Sequence, residues 1–574
     1  MKARKDFKLI SIILVITIIL SACQKNDVQS ALVNDSEQAA TELDYTSEMD
    51  KTSIMNIEIS ADKEEWQNML DNAQSEEYIS ADVTINGTTI KNVGIRPKGN
   101  SSLSSIARDD TTDRYSFKIK FDEYVDGQKW LGLDKIVLNS NYSDATSMKE
   151  YMSYDIMSYI GVDAPLFSYS DISVNGESWG FYLAVEDVDS SYLERVKNGE
   201  GELYKPESME MGNNMQNEKN QQNVAQIKAE PKEINGKNMP GNMSGADNGV
   251  ALIYSDDNES SYSSIFDNAE TKTTEEDHMR VIESIKNLNQ GTDIETYVDV
   301  DSVLRYLAAH TVVVNLDSYS GSMGHNYYLY ENNGQISILP WDYNMSFGGF
   351  QSRNSSDVVN FPIDTPVSGI SLENRPLISK LLENPEYLER YHQYLKEIVD
   401  GYFANGMFEQ KVNELNTLIS EHIKNDPSAF YTYEEYQAAI TELKKLGVLR
   451  AESVQGQLDG TIPSTTEGQS AEPDKLKDAS DVDMSLLGDN FMGGGAGADQ
   501  GGFGNRQNDF EMPEGIGADT MRQAVEIIRL SQNGELTDEQ LNQLHDLGLT
   551  DEQIDKIKQI SIGRPQGNTM SEIK

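Results

Sequence analysis

Basic residues are scarce in this chain: 47 Lys and Arg stand against 95 Asp and Glu in 574 residues, a formal charge of −48. Nucleic acid and anionic lipid surfaces are repelled by such a surplus, so neither is expected as a partner, although local basic pockets remain compatible with it. Cysteine is nearly absent. The single one, Cys23, provides no disulfide. Six histidines lie scattered along the chain. There is no G-x-x-x-x-G-K-[ST] loop, H-E-x-x-H helix or G-x-S-x-G elbow, which removes the standard NTPase, zincin and esterase readings. Hydrophobic residues reach only 37%, while Gly, Asn, Ser, Asp and Gln are abundant, so a globular protein interleaved with linker sequence is expected. Length excludes no catalytic class, since two to four domains with large cores fit within it.

One apolar run stands apart. Leu9 to Leu20 follows Lys2, Arg4, Lys5 and Lys8, too short to span a bilayer comfortably and right for a signal h-region. It closes on Leu20-Ser21-Ala22-Cys23, which resembles a bacterial lipoprotein signal. That resemblance implies lipidation of Cys23, no thiol nucleophile in the mature protein, and a lipid anchor at the extracytoplasmic face of the cell membrane. From Gln24 to about Thr52 the sequence is polar, acidic and aperiodic, a flexible tether, with folding expected to begin near Ile54.

Alternating segments flank Asn86-Gly87, Asn175-Gly176 and Asn333-Gly334, three hairpin signals. Phe117, Ile119 and Phe121 alternate with Lys118 and Lys120, so one strand face is apolar and the other presents two cations. Helical spacing runs from Asp144 to Ile160 and stops at Gly161. Further helices are expected over Thr274 to Leu288, Val300 to Asn315 and Pro376 to Leu449, giving α+β order. Leu536-Thr-Asp-Glu-Gln-Leu541 recurs as Leu549-Thr-Asp-Glu-Gln-Ile554. Each copy carries a capping box, and with a helix through Met521, Val525 and Ile528 they predict a small helical module.

Polar motifs sit at the ends of the apolar segments. Arg96-Pro97-Lys98-Gly99-Asn100-Ser101-Ser102 gathers cations and hydroxyl and amide donors suited to phosphate, a composition that a basic surface turn shares. Lys118 reaches toward a phosphate or a carboxylate. Leu138 to Asp144 runs from a strand end into a helix start, where Asp144 reads as an N-cap. Gly180 to Asp189 is an apolar strand ending in acids: Glu186 is placed to pair with Lys118 or to meet a ligand, and Asp189 reads as a cap. The richest set is Asn315-Leu316-Asp317, His325-Asn326-Tyr327-Tyr328 and Leu339-Pro340-Trp341-Asp342-Tyr343-Asn344. Asp342 ends the second strand of a hairpin, where a carboxylate can be held rigidly over a cleft. One acid can polarise a nucleophile and the other hold a divalent cation, with Asn326 as a neutral oxygen ligand; either acid alone reads as a turn cap.

Together RPKGNSS, SFKIKFD, LNSNYSD, NGESWGFYLAVEDVD and the paired NLDS and PWDYN segments resemble the CotH family, the spore coat protein H kinase-like proteins, over roughly Ile90 to Leu449. The resemblance implies an atypical protein-kinase-like fold, ATP and Mg2+ as cofactors, and phosphoryl transfer to Ser or Thr of a protein. Matched position by position, it gives the ATP phosphates to Arg96, Lys98 and Lys118 and a place near the nucleotide to Glu186. It gives the catalytic aspartate role to Asp317, and the metal to Asp342 with Asn326 as helper. Asn326 stands nine residues after Asp317 where ordinary kinases have five, and the glycine-rich ATP loop is missing.

The expected plan is a signal peptide at 1–23, a tether at 24–52 and a CotH kinase-like domain at 53–454 with a low-complexity insertion at 207–249. A linker at 455–513 and the helical module at 514–574 follow. The expected function is an atypical Ser/Thr kinase acting on envelope or surface proteins, its acidic exterior favouring basic substrate segments. Because ATP is scarce outside the membrane, the alternative is a non-catalytic surface adhesion or assembly protein that keeps the fold. A calcium-stabilised surface protein, suggested by Asp342-Tyr343-Asn344, lacks the Gly and distal Glu of a full calcium loop.

Overall fold

The computed structural model describes residues 43–207, 249–352, 354–488, 536–547, 549–550 and 553–554. The chain divides into Met1–Glu42 and Leu43–Lys574. The first unit, with the expected signal peptide, Cys23 and most of the tether, lies outside the described residues, as do 208–248 of the expected insertion and 489–513 of the expected linker. Among the described residues no helix is long and apolar enough to cross a membrane.

Three Asn-Gly pairs turn the chain back on itself. Asn86-Gly87, Asn175-Gly176 and Asn333-Gly334 all have φ between 47° and 88°, as a two-residue primed turn requires. The first joins β2 (Ile79–Ile85) to β3 (Thr88–Lys98), the second β6 (Phe167–Val174) to β7 (Glu177–Glu186), and the third β9 (Tyr327–Asn332) to β10 (Gln335–Pro340). With β1 (Ile54–Ala61), β4 (Ser116–Lys120) and β5 (Lys135–Asn139), the first two hairpins close a barrel in the order β1-β2-β3-β4-β5-β7-β6. Only the β6–β1 closure is parallel. β8 (Glu202–Tyr204) joins the third hairpin in a separate three-stranded sheet.

Period-two alternation separates two cores. On β5, Ile136 and Leu138 enter the barrel core with Ile57, Val83, Ile95, Phe117 and Ile119, while Val137 faces the opposite way into a second core. That second core is built from helices, among them Lys149–Tyr159, Glu275–Gln290, Val300–Val313, Pro385–Ile398, Met407–Lys424 and Tyr433–Leu458, together with the three-stranded sheet. The architecture is α+β. Thr274 starts Glu275–Gln290 with a capping box to Asp277, and Gly291 ends it at φ 68°.

The helix expected from Asp144 begins later, at Lys149. The Asp144 carboxylate accepts from the Thr146 N–H (2.9 Å), the Thr146 hydroxyl (2.6 Å) and the Lys149 N–H (2.9 Å), so it organises a turn ahead of the helix. Asp189 does cap the helix Ser190–Lys197, accepting from Ser191 N–H at 2.9 Å.

Two expected boundaries move outward. Order begins before Ile54: the helical turn Tyr45–Glu48 buries Tyr45, whose hydroxyl donates to Glu186 Oε1 at 2.6 Å. The linker expected from 455 starts inside Tyr433–Leu458, and residues 459–488 fold back along the helices. Ala479, Val482 and Leu487 are buried there, and Lys477 N–H donates to Asn360 Oδ1 at 2.8 Å. A polar segment with few apolar residues is anchored by those few and by side-chain bonds to its backbone. At the far end, Thr537 caps Asp538–Asp546 through a box with Gln540, and Thr550 and Gln553 form the second box. The helix expected through Met521, Val525 and Ile528 lies outside the described residues.

Candidate active site

The outer face of the barrel sets the first part of the site. Lys118 on β4 stands opposite Arg96 on β3 and Val137 on β5. Because Val137 faces the helical core, all three project to that side. The strand expected to end at Ile95 continues through Arg96, Pro97 and Lys98. Pro97 stands beyond Ile95, the last β3 residue paired with β2, and opposite Phe117 on β4.

Two opposed cations on neighbouring strands repel, and each has an acid to offset this. Arg96 pairs with Glu76, and Lys118 Nζ lies 2.8 Å from Asp187 Oδ2. Burial works against the Asp187 carboxylate, but Lys118 and Lys135 outweigh it and hold Asp187 below the ordinary range. Among the described residues Asp187 Oδ1 is buried without a hydrogen-bond partner.

Glu186 is therefore not a cleft residue, contrary to expectation. It pairs with Ile136, a barrel-core position, so its side chain leaves the sheet on the face opposite Lys118. There it is fully buried and accepts from Tyr45 OH, Leu166 N–H (2.9 Å) and Arg195 Nε (3.0 Å). Its role is to hold the helix Ser190–Lys197 and the chain before β1 to the barrel; Asp187, one residue on, takes the place beside Lys118.

The second part comes from the helical side. Asp342 follows β10 with φ 59°, its N–H donating to Tyr154 OH at 3.1 Å. Its carboxylate makes no hydrogen bond among the described residues. Glu150 and Tyr154 lie one turn apart on Lys149–Tyr159, and Glu150 Oε2 accepts from Asn139 Nδ2 at 2.7 Å. Lys98 Nζ donates to Asn139 Oδ1 (3.4 Å) and sits 5.6 Å from the Trp341 ring centroid. Burial, with the charge of Asp342 added, pushes Glu150 up to about 7 despite its bond to Asn139 and the nearby Lys98. Burial likewise holds Lys98 below its ordinary value, against the pull of Asp342 and Glu150.

Asp317 occupies the loop between Val300–Val313 and β9. A Cβ at Gly321 would lie 1.9 Å from Leu316 O, so only glycine permits so tight a turn behind Asp317. Arg375, fully buried, donates to Tyr319 O and to Gly321 O (2.5 Å). His325 Nε2 meets Asp317 Oδ1 at 2.5 Å, and Asn326 Nδ2 donates to Asp317 Oδ2 (3.1 Å) and to its carbonyl (2.9 Å). Burial lowers His325, but its bond to Asp317 prevails and raises it above its ordinary value.

Arg96, Lys98, Lys118, Asp317, Asn326 and Asp342 thus line one cleft of about 740 Å³, together with Lys205, His325, Asn139, Asn141 and Trp341. Four residues other than glycine that line it, Asn141, Ser143, Asn326 and Asp342, have φ between 53° and 62°, and φ is also positive at Val314 (49°) and Phe347 (55°) in the segments before Asp317 and after Asp342. Strain of this kind concentrates at ligand sites and persists only where the surroundings impose it. Here they do: Phe347 and Gly348 N–H groups bond Val313 and Val314 carbonyls at 2.6 and 3.2 Å.

The sequence motifs did not single out Glu150 or Lys205. Glu150 sits in a helix with no amphipathic pattern to mark one face, since both sides of it are buried. His325 was visible in its motif, but nothing in the spacing tied it to Asp317.

Among the described residues no three or more His, Cys, Asp or Glu side chains assemble a metal site by themselves. The unpaired Asp342 carboxylate and the Asn326 amide oxygen nevertheless suit Mg2+, which takes one or two protein ligands and completes its octahedron with phosphate and water.

A family model described as CotH kinase protein matches residues 95–454, the stretch that contains every lining residue singled out above. The chain is also 24% identical over 318 residues to the inner spore coat protein H of Bacillus subtilis (strain 168), covering 52% of this chain and 70% of the relative. A shorter match, 30% over 78 residues, links it to the inner spore coat protein H-like protein of the same organism, across 14% of this chain and 24% of that one. With β4 to β7, most of the helical core and the cleft residues named above inside the matched stretch, the chain belongs to the CotH kinase family.

Proposed function

We propose that this protein is an ATP- and magnesium-dependent Ser/Thr protein kinase of the CotH type, with an atypical protein-kinase-like fold. One observation carries the reading: a single cleft is lined by Arg96, Lys98 and Lys118 from the barrel strands and by the carboxylates of Asp317 and Asp342 from loops on the helical side. Phosphoryl transfer asks a protein for little covalent chemistry; it needs positioning and charge stabilisation along the line of displacement. Lys98 and Lys118 hold phosphate oxygens, with Arg96 at the outer end beside Glu76. Asp342, with Asn326 near it, holds the metal. Magnesium, when bound, neutralises charge on the β- and γ-phosphates. Asp317 accepts a hydrogen bond from the substrate hydroxyl and orients it for attack.

The name of one relative, inner spore coat protein H, places that protein in the inner spore coat. We extend this to substrates among envelope or surface proteins, with basic segments favoured by the net charge of −48 and the enzyme tethered through lipid at Cys23. Transfer of labelled phosphate from ATP to a basic Ser-containing protein tests the reading. Asp317→Asn and Asp342→Asn should each lower transfer by at least about 10²-fold. Transfer that survives both substitutions overturns the reading, and a parent that transfers nothing returns the protein to the adhesion or assembly class.

A further inference from the structure

The proposed role of Asp317 requires its carboxylate to keep one orientation in a cleft open to water. Its backbone is fixed by the turn at Gly321 and the grip of Arg375, but two side-chain torsions remain free to rotate. Both carboxylate oxygens are met from a single dipeptide before β9: Oδ1 by His325 Nε2 at 2.5 Å and Oδ2 by Asn326 Nδ2 at 3.1 Å. An ionised carboxylate only accepts, so Nε2 carries the proton in this contact. Asn326 also bonds the Asp317 carbonyl at 2.9 Å and so shares in shaping the loop, whereas His325 touches the carboxylate alone among the described residues. The two side chains are similarly open to the cleft, 20% exposed for His325 and 19% for Asp317. Both are half-buried, and His325 lines the cleft beside Asp317.

We infer that His325 is a positioning residue for phosphoryl transfer, fixing the Asp317 carboxylate through Oδ1 so that Oδ2 stays directed at the substrate hydroxyl. The inference rests on the kinase reading. It assigns His325 no contact with nucleotide, so binding of Mg·ATP should not depend on it.

The test uses the full chain and the variants His325→Ala and His325→Gln, whose side-chain N–H reaches about as far as Nε2. His325→Ala should lower kcat on the order of 10²-fold while KM for ATP and the rise in melting temperature with Mg·ATP stay at parental values. His325→Gln should recover most of the rate, because a neutral donor suffices. Three results overturn the inference alone: parental kcat in His325→Ala, loss of the Mg·ATP shift in that variant, or a Gln variant as slow as Ala. A parent that binds Mg·ATP yet transfers no phosphate overturns the kinase reading and this inference with it.

Discussion

Glu150 shows how the cleft uses burial to set charge. Only 3% exposed, and close enough to feel the charge of Asp342, it is pushed up to about 7 from an ordinary 4.5. The native state therefore binds more protons than the unfolded chain between those two values, and stability falls as pH rises through that window. The contribution is unimpaired below 4.5 and the penalty is complete above 7. Glu150→Gln removes the titration. Against the parent it should gain on the order of 2–3 kcal/mol at about pH 8 and nothing at about pH 4, read by urea unfolding at both. A gain that does not change with pH would contradict the assignment. Asp187 is the opposite case: equally buried but facing Lys118 and Lys135, it stays charged.

At the level of elements, the barrel is fastened to the helical core by a buried ion pair that does not itself line the cleft. Arg114 Nη1 lies 2.6 Å from Asp426 Oδ2, and neither side chain is more than 4% exposed. Arg114 also donates to Phe181 O (2.5 Å) and Ser140 O (3.1 Å), and Asp426 accepts from Phe181 N–H at 3.0 Å. Removing one partner leaves a buried charge uncompensated. Asp426→Asn should cost about 3–5 kcal/mol in denaturant unfolding while leaving any Mg·ATP stabilisation intact; a loss below about 1 kcal/mol would show the pair to be incidental. Elements of this kind divide what the sequence discloses from what it hides. The three Asn-Gly hairpins, the two-faced strand around Lys118 and the capping boxes at Thr537 and Thr550 are local, governed by turn stereochemistry and alternation, and they were legible. The start of Lys149–Tyr159 was not, because Asp144 caps a turn instead of the helix itself. Glu186 was misassigned for a subtler reason: without strand pairing, nothing fixes which of two adjacent acids shares a sheet face with Lys118, and a shift of one residue exchanges the faces. Arg114 and Asp426, 312 positions apart, left no sequence signal of their pairing.

Across the whole molecule, the cleft draws on segments from Glu76, ahead of β3, to Phe350, beyond β10, so its chemistry exists only when both cores are formed. The motifs that resemble the CotH family named Lys98, Lys118, Asp317 and Asp342, and these line one cleft. The partners that tune them, Asp187, Glu150 and His325, were assembled by tertiary packing. A chain this acidic repels nucleotide at long range, and the cleft cations must reverse that locally. The most direct measurement is the melting temperature of the full chain with and without ATP and magnesium, beside Asp342→Asn. Ligand that binds only the folded state stabilises it by about 2.7 kcal/mol at a hundred times Kd. The account predicts a clear rise in the parent that needs both ATP and magnesium and disappears in Asp342→Asn. No rise in the parent, or an equal rise in the variant, would contradict it.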